Sequence, residues 1–466
     1  MEMLKVKGSK IVDASGREIR LRGTCVGGWM NMENFLDGYP GSEHGLRSVF
    51  SDTLGPERTK FFFDRWLDHF FAEDDVKFIA RTGSTVVRIP LNYRHFERDE
   101  DPFNFMEEGF QRLDKAISWC GTHGLYVILD LHAVQGWQNP DWHCDNQNRV
   151  SLFWTHKLFQ DRFIRLWEEF ARHYKGNPVV AGYNVMNEPV TNAPRGRFPI
   201  GDYKPRWDFM NAVYRRAVAA IRAIDPDHII FLEGDLFSSK FSGMEAPFAD
   251  NLVYSSHNYL QIAFRDVLYP GKSGKETWDE KRVRKEFDEH EGTAYCRKYG
   301  VPLWVGEFGY RTVGKRKLVD GRERLIDDQI GTFEGAGAHW TVWNYKDVGS
   351  MSWMKTDPES EFNKVTKGMV WPGWRSKVLG KSYEALKKGL AKAIPLVKVD
   401  DAGQDHFFHE AVYACYAAGM MQFAYAENFK GMSETRIDKI LSSFDLNKCV
   451  LDEGYLGIIR KYCGKA

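Results

Sequence analysis

The fold this sequence predicts is of the α/β class: a (β/α)8 TIM barrel with long C-terminal-face loops and a small helical C-terminal extension. Three observations predict it. Eight short β-branched or apolar runs recur between residues 21 and 345, and segments of helical period separate them. No Gly-x-Gly-x-x-Gly turn follows an early run, as an open doubly wound sheet would be expected to carry.

The chain opens as a hairpin. Its first strand covers about residues 3–12, a turn falls at Ala14-Ser15-Gly16, and Glu18 begins the second strand with apolar residues at alternate positions. The eight runs are Leu21 to Val26, Thr85 to Pro90, Leu125 to His132, Val180 to Glu188, His228 to Glu233, Leu252 to Tyr259, Leu303 to Glu307, and Trp340 to Tyr345. Amphipathic helices are predicted over 62–82, 107–122, 159–174, 206–224, 281–299 and 321–335. Long segments follow runs 1, 3, 4, 6 and 8 (27–60, 133–158, 189–205, 260–280 and 346–380), on the face where such barrels carry their chemistry. Their tryptophans (Trp29, Trp137, Trp142, Trp278, Trp353, Trp371, Trp374) suggest walls around a deep pocket. A last helix covers 381–394, and 404–466 reads as helical and apolar around Ala411 to Tyr425. The expected division is a barrel domain over 1–395 and a helical extension over 396–466 packed on it.

Lys+Arg and Asp+Glu number 64 each, with no long basic run, which argues against a nucleic-acid partner. Seven cysteines at wide spacings with no Cys-x-x-Cys argue against a disulfide framework and a zinc site. No apolar stretch approaches the ~18 residues of a membrane span, and the N-terminus has no apolar leader core, so a cytoplasmic location with no membrane partner is expected. Aromatics make up 14% of the chain, and many fall in polar, Gly-rich segments, where flat rings suit the apolar faces of sugars.

The polar and aromatic residues at the run ends are Arg88, His132, Asn187, Glu188, Glu233, His257, Tyr259, Glu307 and Trp343. Singly, each has an ordinary structural reading. Barrel geometry, however, points strand ends at one pocket. Hydrolysis of a glycosidic bond needs two carboxylic groups flanking the anomeric carbon. Glu188 and Glu307 lie three strands apart and can face each other across such a site. Asn187 can then bond the sugar 2-hydroxyl, while Arg88 and Tyr259 can bond Glu307 and keep its pKa low. His257 can sit near Glu188 or the leaving group, with Trp343 as floor. Glu233 reads as structural.

The same residues carry a resemblance. Thr85-Val86-Val87-Arg88-Ile89-Pro90, Asp130-Leu131-His132, Asn184-Val185-Met186-Asn187-Glu188-Pro189, His257-Asn258-Tyr259, Glu307-Phe308-Gly309 and Trp343-Asn344 look like the signature of glycoside hydrolase family 5, in order, over about residues 10–394. The resemblance implies a retaining β-glycosidase with Glu188 as acid/base, Glu307 as nucleophile, and no metal or cofactor. Substrate contacts would come from Arg88, His132, Asn187, His257, Tyr259 and Trp343. Gly27-Gly28-Trp29 with Glu33-Asn34-Phe35, and Gly136-Trp137-Gln138-Asn139, are similar to segments of the family's exo-β-1,3-glucanases. They add Trp29, Glu33 and Trp137 as candidate sugar contacts, though Glu33 reads equally as a salt-bridge residue. Asn34 stands where those enzymes carry Pro, and Trp142-His143-Cys144 is an addition.

A metal-dependent barrel hydrolase would want His-x-His or HExxH, and a serine hydrolase GxSxG; none occurs. A non-catalytic carbohydrate-binding barrel would be favoured if either carboxylate were missing. The reading is therefore an enzyme acting on a β-linked oligosaccharide or glycoside, with an exo-acting β-glucosidase or exo-glucanase ahead of an endo-β-1,4-glucanase or a β-mannosidase.

Overall fold

The computed structural model describes residues 1–193, 203–366, 381–394 and 415–464. Eight parallel strands close into a barrel: β1 (Arg22–Cys25), β2 (Val86–Asn92), β3 (Tyr126–Ala133), β4 (Val180–Asn184), β5 (Ile229–Glu233), β6 (Leu252–His257), β7 (Leu303–Glu307) and β8 (His339–Val342). Each pairs with its neighbours in sequence, and β8 pairs with β1 to complete the ring.

The helices that cover the barrel are α1 (Glu43–Leu54), α2 (Pro56–Phe70), α3 (Glu73–Arg81), α4 (Glu107–Thr122), α5 (Lys157–Tyr174), α6 (Trp207–Ile224), α7 (Glu280–Glu289), α8 (Glu291–Tyr299) and α9 (Arg316–Ala336). Two expected helices are each broken in two. Between α2 and α3 the Asp75 carboxylate accepts from the Ala72 amide at 2.8 Å and starts a new helix. Between α7 and α8, His290 leaves helical φ/ψ and its Nδ1 accepts from the Gly292 amide. The opening also differs, because Lys5–Lys7 already pairs antiparallel with Lys10–Val12, so the run read as one strand is itself a hairpin turning at Gly8.

Alternation along the strands sorts the barrel interior. Stepping by two from bottom to top gives Val86 then Arg88, Ile128 then Asp130 and His132, and Phe231 then Glu233. The lower, apolar residues pack with Trp304 and with Leu4 and Ile11 of the hairpin, which plugs the N-terminal end. The upper, polar residues meet at the C-terminal end. Hydrophobic bookkeeping thus closes one mouth and leaves charge at the other.

The expected helix at 381–394 is seen as α10 (Lys381–Ala393). Beyond it lie α11 (Ala418–Glu427), α12 (Glu434–Leu441) and α13 (Glu453–Cys463). Gln422 of α11 donates to the carbonyls of Pro40 and Ser42 at 2.9 and 3.0 Å. The Phe444 ring lies 4.6 Å from that of Trp66 on α2. A tail strand, Cys449–Leu451, pairs antiparallel with Met354–Thr356 in the segment after β8. Trp371, Trp374 and Ala411 lie outside the described residues. Among the described residues no helix is long and apolar enough to cross a membrane.

Candidate active site

Arg88 stands at the centre of the upper layer with no exposed surface. Its guanidinium donates to Glu307 Oε1 at 2.5 Å and Asn187 Oδ1 at 2.7 Å, while its Nε donates to Asn184 Oδ1 at 3.1 Å. Asp130 and Glu233 lie 3.1 and 3.2 Å from it. Five donors on a rigid fork make this many-sided bonding possible, and a lysine could not reproduce it.

Glu307 ends β7, where the ladder to β6 slips between Val305 and Glu307 and sets Glu307 opposite His257. An extra residue of this kind re-aims the side chain that follows it. Tyr259 donates to Glu307 Oε2 at 2.9 Å. Burial alone would push the Glu307 carboxyl up, but the charges of His257, Arg88 and His132 override it and hold it at about 2.

The fourth run is shorter than expected. β4 ends at Asn184, and Glu188 lies past it at φ 46°, a left-handed backbone unusual for a glutamate. What pins it there is Glu233, left as structural in the sequence reading, whose Oε2 accepts from the Glu188 amide at 2.8 Å. The Glu188 carboxylate meets two imidazoles. His257 Nδ1 is 2.6 Å from Oε1, and His143 Nε2 is 3.2 Å from Oε2. Burial favours a neutral His257, yet the Glu233 and Glu307 carboxylates pull its pKa well above the ordinary value.

His132 Nδ1 bonds Asp130 at 2.6 Å and its Nε2 lies 3.1 Å from Glu33 Oε1. Burial opposes its charge, but Asp130 and Glu33 raise it to about 10. Burial likewise raises Glu33, against the pull of His132. Trp343 stacks on the His132 ring at 5.4 Å with planes 10° apart. Gly27 is required beneath it, since a Cβ there would meet the indole at 2.5 Å.

These groups surround a cavity of about 220 Å³ lined by Glu33, His132, His143, Glu188, Tyr259, Glu307 and Trp343, with Phe35, Phe264 and Met351 as its apolar part. One ligand atom each from Glu188, His257 and Glu307 lies within 4.8 Å of the others. By distance they could hold a cation, but the Arg88 guanidinium already supplies the positive charge at Glu307.

Arg88, His132, Asn187, Glu188, His257, Tyr259, Glu307 and Trp343 are therefore brought together, with Glu33 beside them. Among the described residues, the loop tryptophans are not on this lining. Trp29 is buried, with its indole donating to the Leu67 carbonyl and 5.2 Å from Phe71. Trp137 is half-buried at φ 63°, and Trp353 stacks on Phe78 at 5.8 Å. Long loops need cores of their own, and the rings of Trp29 and Trp353 supply them. Asp130 and Asn184 belong to the motifs that carry the resemblance, but the sequence reading gave neither a role, although Asp130 lies two residues before His132 on the same strand face. His143 carried no periodic signal, because it sits in the short 3-10 turn Trp142–Cys144.

Comparison with known proteins gives the following. The family model described as Cellulase (glycosyl hydrolase family 5) matches residues 48–349. A β-xylosidase of Phanerodontia chrysosporium is 34% identical over 479 residues, covering 97% of each chain. A probable glucan 1,3-β-glucosidase A of Neosartorya fischeri is 26% identical over 371 residues, 72% of this chain and 85% of that one. Among solved structures, an endogalactoceramidase superposes with a TM-score of 0.53 at 20% identity, covering 74% of this chain and 75% of that one, a likeness of fold alone.

Proposed function

The chain belongs to glycosyl hydrolase family 5 and is a glycoside hydrolase, and from that premise we propose that it is a retaining, exo-acting β-glycosidase. The observation that carries the mechanism is the approach of the two carboxylates, with an oxygen of Glu188 and one of Glu307 within 4.8 Å. Retaining enzymes hold the pair about 5–5.5 Å apart, whereas inverting ones need about 6.5–9.5 Å to admit water between them.

Glu307, held ionised, attacks the anomeric carbon as Glu188 gives its proton to the departing oxygen. A covalent glycosyl ester on Glu307 results. Water then attacks the same carbon, Glu188 takes its proton, and the ester bond breaks with net retention. Arg88 and Tyr259 keep the Glu307 oxygens aimed, and Asn187 is positioned to bond the 2-hydroxyl.

Exo action is supported by the small cavity, which Glu33, Phe35 and Met351 help to wall. The sugar removed is a terminal β-D-glucosyl unit. A second reading, a β-D-xylosyl unit, is favoured by the relative named β-xylosidase that covers 97% of each chain.

Azide rescue tests the roles. With an aryl β-glycoside, Glu307→Ala should be nearly inactive, and azide entering the vacated space should yield an α-azide by a single inversion. Glu188→Ala should still form the glycosyl-enzyme from a good leaving group, and azide should then give a β-azide. Exchanged products would reverse the two assignments.

A further inference from the structure

The walls of the catalytic cavity differ in polarity, and the order of the barrel strands tells which edge of a sugar meets each wall. His132 on β3 and Asn187 just past β4 stand together, with Asn187 Nδ2 3.2 Å from His132 Nε2. In the closed ring β7 and β8 lie four strands on from β3 and β4, so they face them across the pocket. On that side the lining turns apolar. Met351, from the segment after β8, packs with Trp343, Phe35 and Phe264. A Cβ on Gly309, just past β7, would stand 3.4 Å from Met351 Cε. Tyr259 also reaches this wall, but its hydroxyl is donated to Glu307 Oε2.

Pyranose geometry then orients the sugar. The edge made by C2 and C3 is opposite the edge made by C5 and the ring oxygen. A 2-hydroxyl bonded to Asn187 therefore turns C5 and its substituent toward β7 and β8. In a glucosyl unit that substituent is a hydroxymethyl group, and in a xylosyl unit it is hydrogen.

The backbone at Met351 is held on all sides. Lys346 and Asp347 pair with Met354 and Lys355, closing the segment into a loop. The buried Asp347 carboxylate accepts from the amides of Gly349, Ser350, Met351 and Ser352 at 2.6–3.1 Å. Lys346, without exposed surface, donates to Asp75 and to the carbonyls of Phe70 and Phe444 at 2.6–2.8 Å. The Ser350 carbonyl accepts from the Thr312 amide at 2.9 Å. The loop fixes where the side chain starts, while the thioether end stays adaptable, which suits graded rather than absolute selection.

We propose that Met351 is a specificity-determining residue at C5 of the terminal sugar, one that holds hexosides down relative to pentosides. It meets the C5 substituent with apolar surface and offers a 6-hydroxyl only a weak sulfur acceptor, and a buried hydroxyl without a good partner is costly. This rests on the retaining glycosidase reading above and applies whichever of the two sugars is released.

The test compares kcat/KM for the aryl β-D-glucoside, β-D-xyloside and β-D-mannoside of one phenol in the wild type, Met351→Ala and Met351→Gln. One methylene in an apolar pocket is worth roughly 10–200-fold, so Met351→Ala should raise the glucoside-to-xyloside ratio by about tenfold. Met351→Gln, similar in length but with an amide that can bond a 6-hydroxyl, should raise the same ratio without emptying the site. Neither variant should move the mannoside-to-glucoside ratio, since those sugars differ at C2 on the far wall. A glucoside-to-xyloside ratio unchanged in both variants overturns the proposal. An equal shift in the mannoside-to-glucoside ratio also overturns it, because the sugar would then lie the other way round. Wild-type enzyme that turns over none of the three would instead overturn the glycosidase reading itself, independently of the Met351 variants.

Discussion

The Arg88 guanidinium meets Glu307 Oε1 at 2.5 Å, with side-chain exposures of 0% and 5%. Three carboxylates share this one arginine, those of Glu307, Asp130 and Glu233. Breaking a buried pair from one side typically costs about 3–5 kcal/mol, because the partner stays buried and uncompensated. Arg88→Ala should lose stability on that scale in denaturant melts, and the acidic limb of its rate profile should move to higher pH as Glu307 is released from about 2. Arg88→Lys keeps the charge and should stay folded, with its rate still depressed by the lost fork. Wild-type behaviour in both variants would remove Arg88 from the account.

Exo action has its own signature. Digesting a long β-glucan should release mono- or disaccharide from the start with little loss of viscosity, and a rapid early fall would reassign the enzyme as endo-acting. Aryl β-xyloside against aryl β-glucoside, compared by kcat/KM, separates the two sugars.

His132 ties stability to pH. Its folded pKa of about 10 lies above the ordinary 6.5, so its contribution is fully present below 6.5 and is lost as pH rises through about 10. The gap between wild type and His132→Gln should therefore be widest below that window and narrow across it by on the order of a few kcal/mol, at about 1.36 per unit. A gap that stays constant from about pH 6 to about pH 10.5 would show that His132 is not charged in the fold.

Phe444 tests whether the tail is part of the barrel's core. Its ring touches those of Trp66, Phe70 and Phe362. Phe444→Ala should cost about 3–5 kcal/mol within one cooperative transition. A separate early transition confined to the tail would make residues after 415 an independent unit.

Much of this was legible because buried parallel strands read as β-branched runs and because the residues that end them are polar. Arg88, His132, His257 and Glu307 could be placed by that rule. The rule overextended β4, since Val185 and Met186 are apolar but leave the ladder to bring Glu188 round. The break between α2 and α3 carries no Gly or Pro and depends on an Asp75 contact three residues on. Loops have no period, so nothing distinguished His143, which lines the cavity, from Trp353, which fills a loop core. Glu233 was visible at its strand end, but its role as anchor of the Glu188 amide depends on a turn no pattern announces.

The pairing of Cys449–Leu451 with Met354–Thr356 also has a meaning in time. Domains emerge from the ribosome N-terminus first, so a nascent chain already carries both carboxylates and Trp343 while Met354–Thr356 still lacks its antiparallel partner. That segment must wait for all the chain between. Competence to turn over substrate should then arrive late in synthesis, well after the ring of eight strands has been translated.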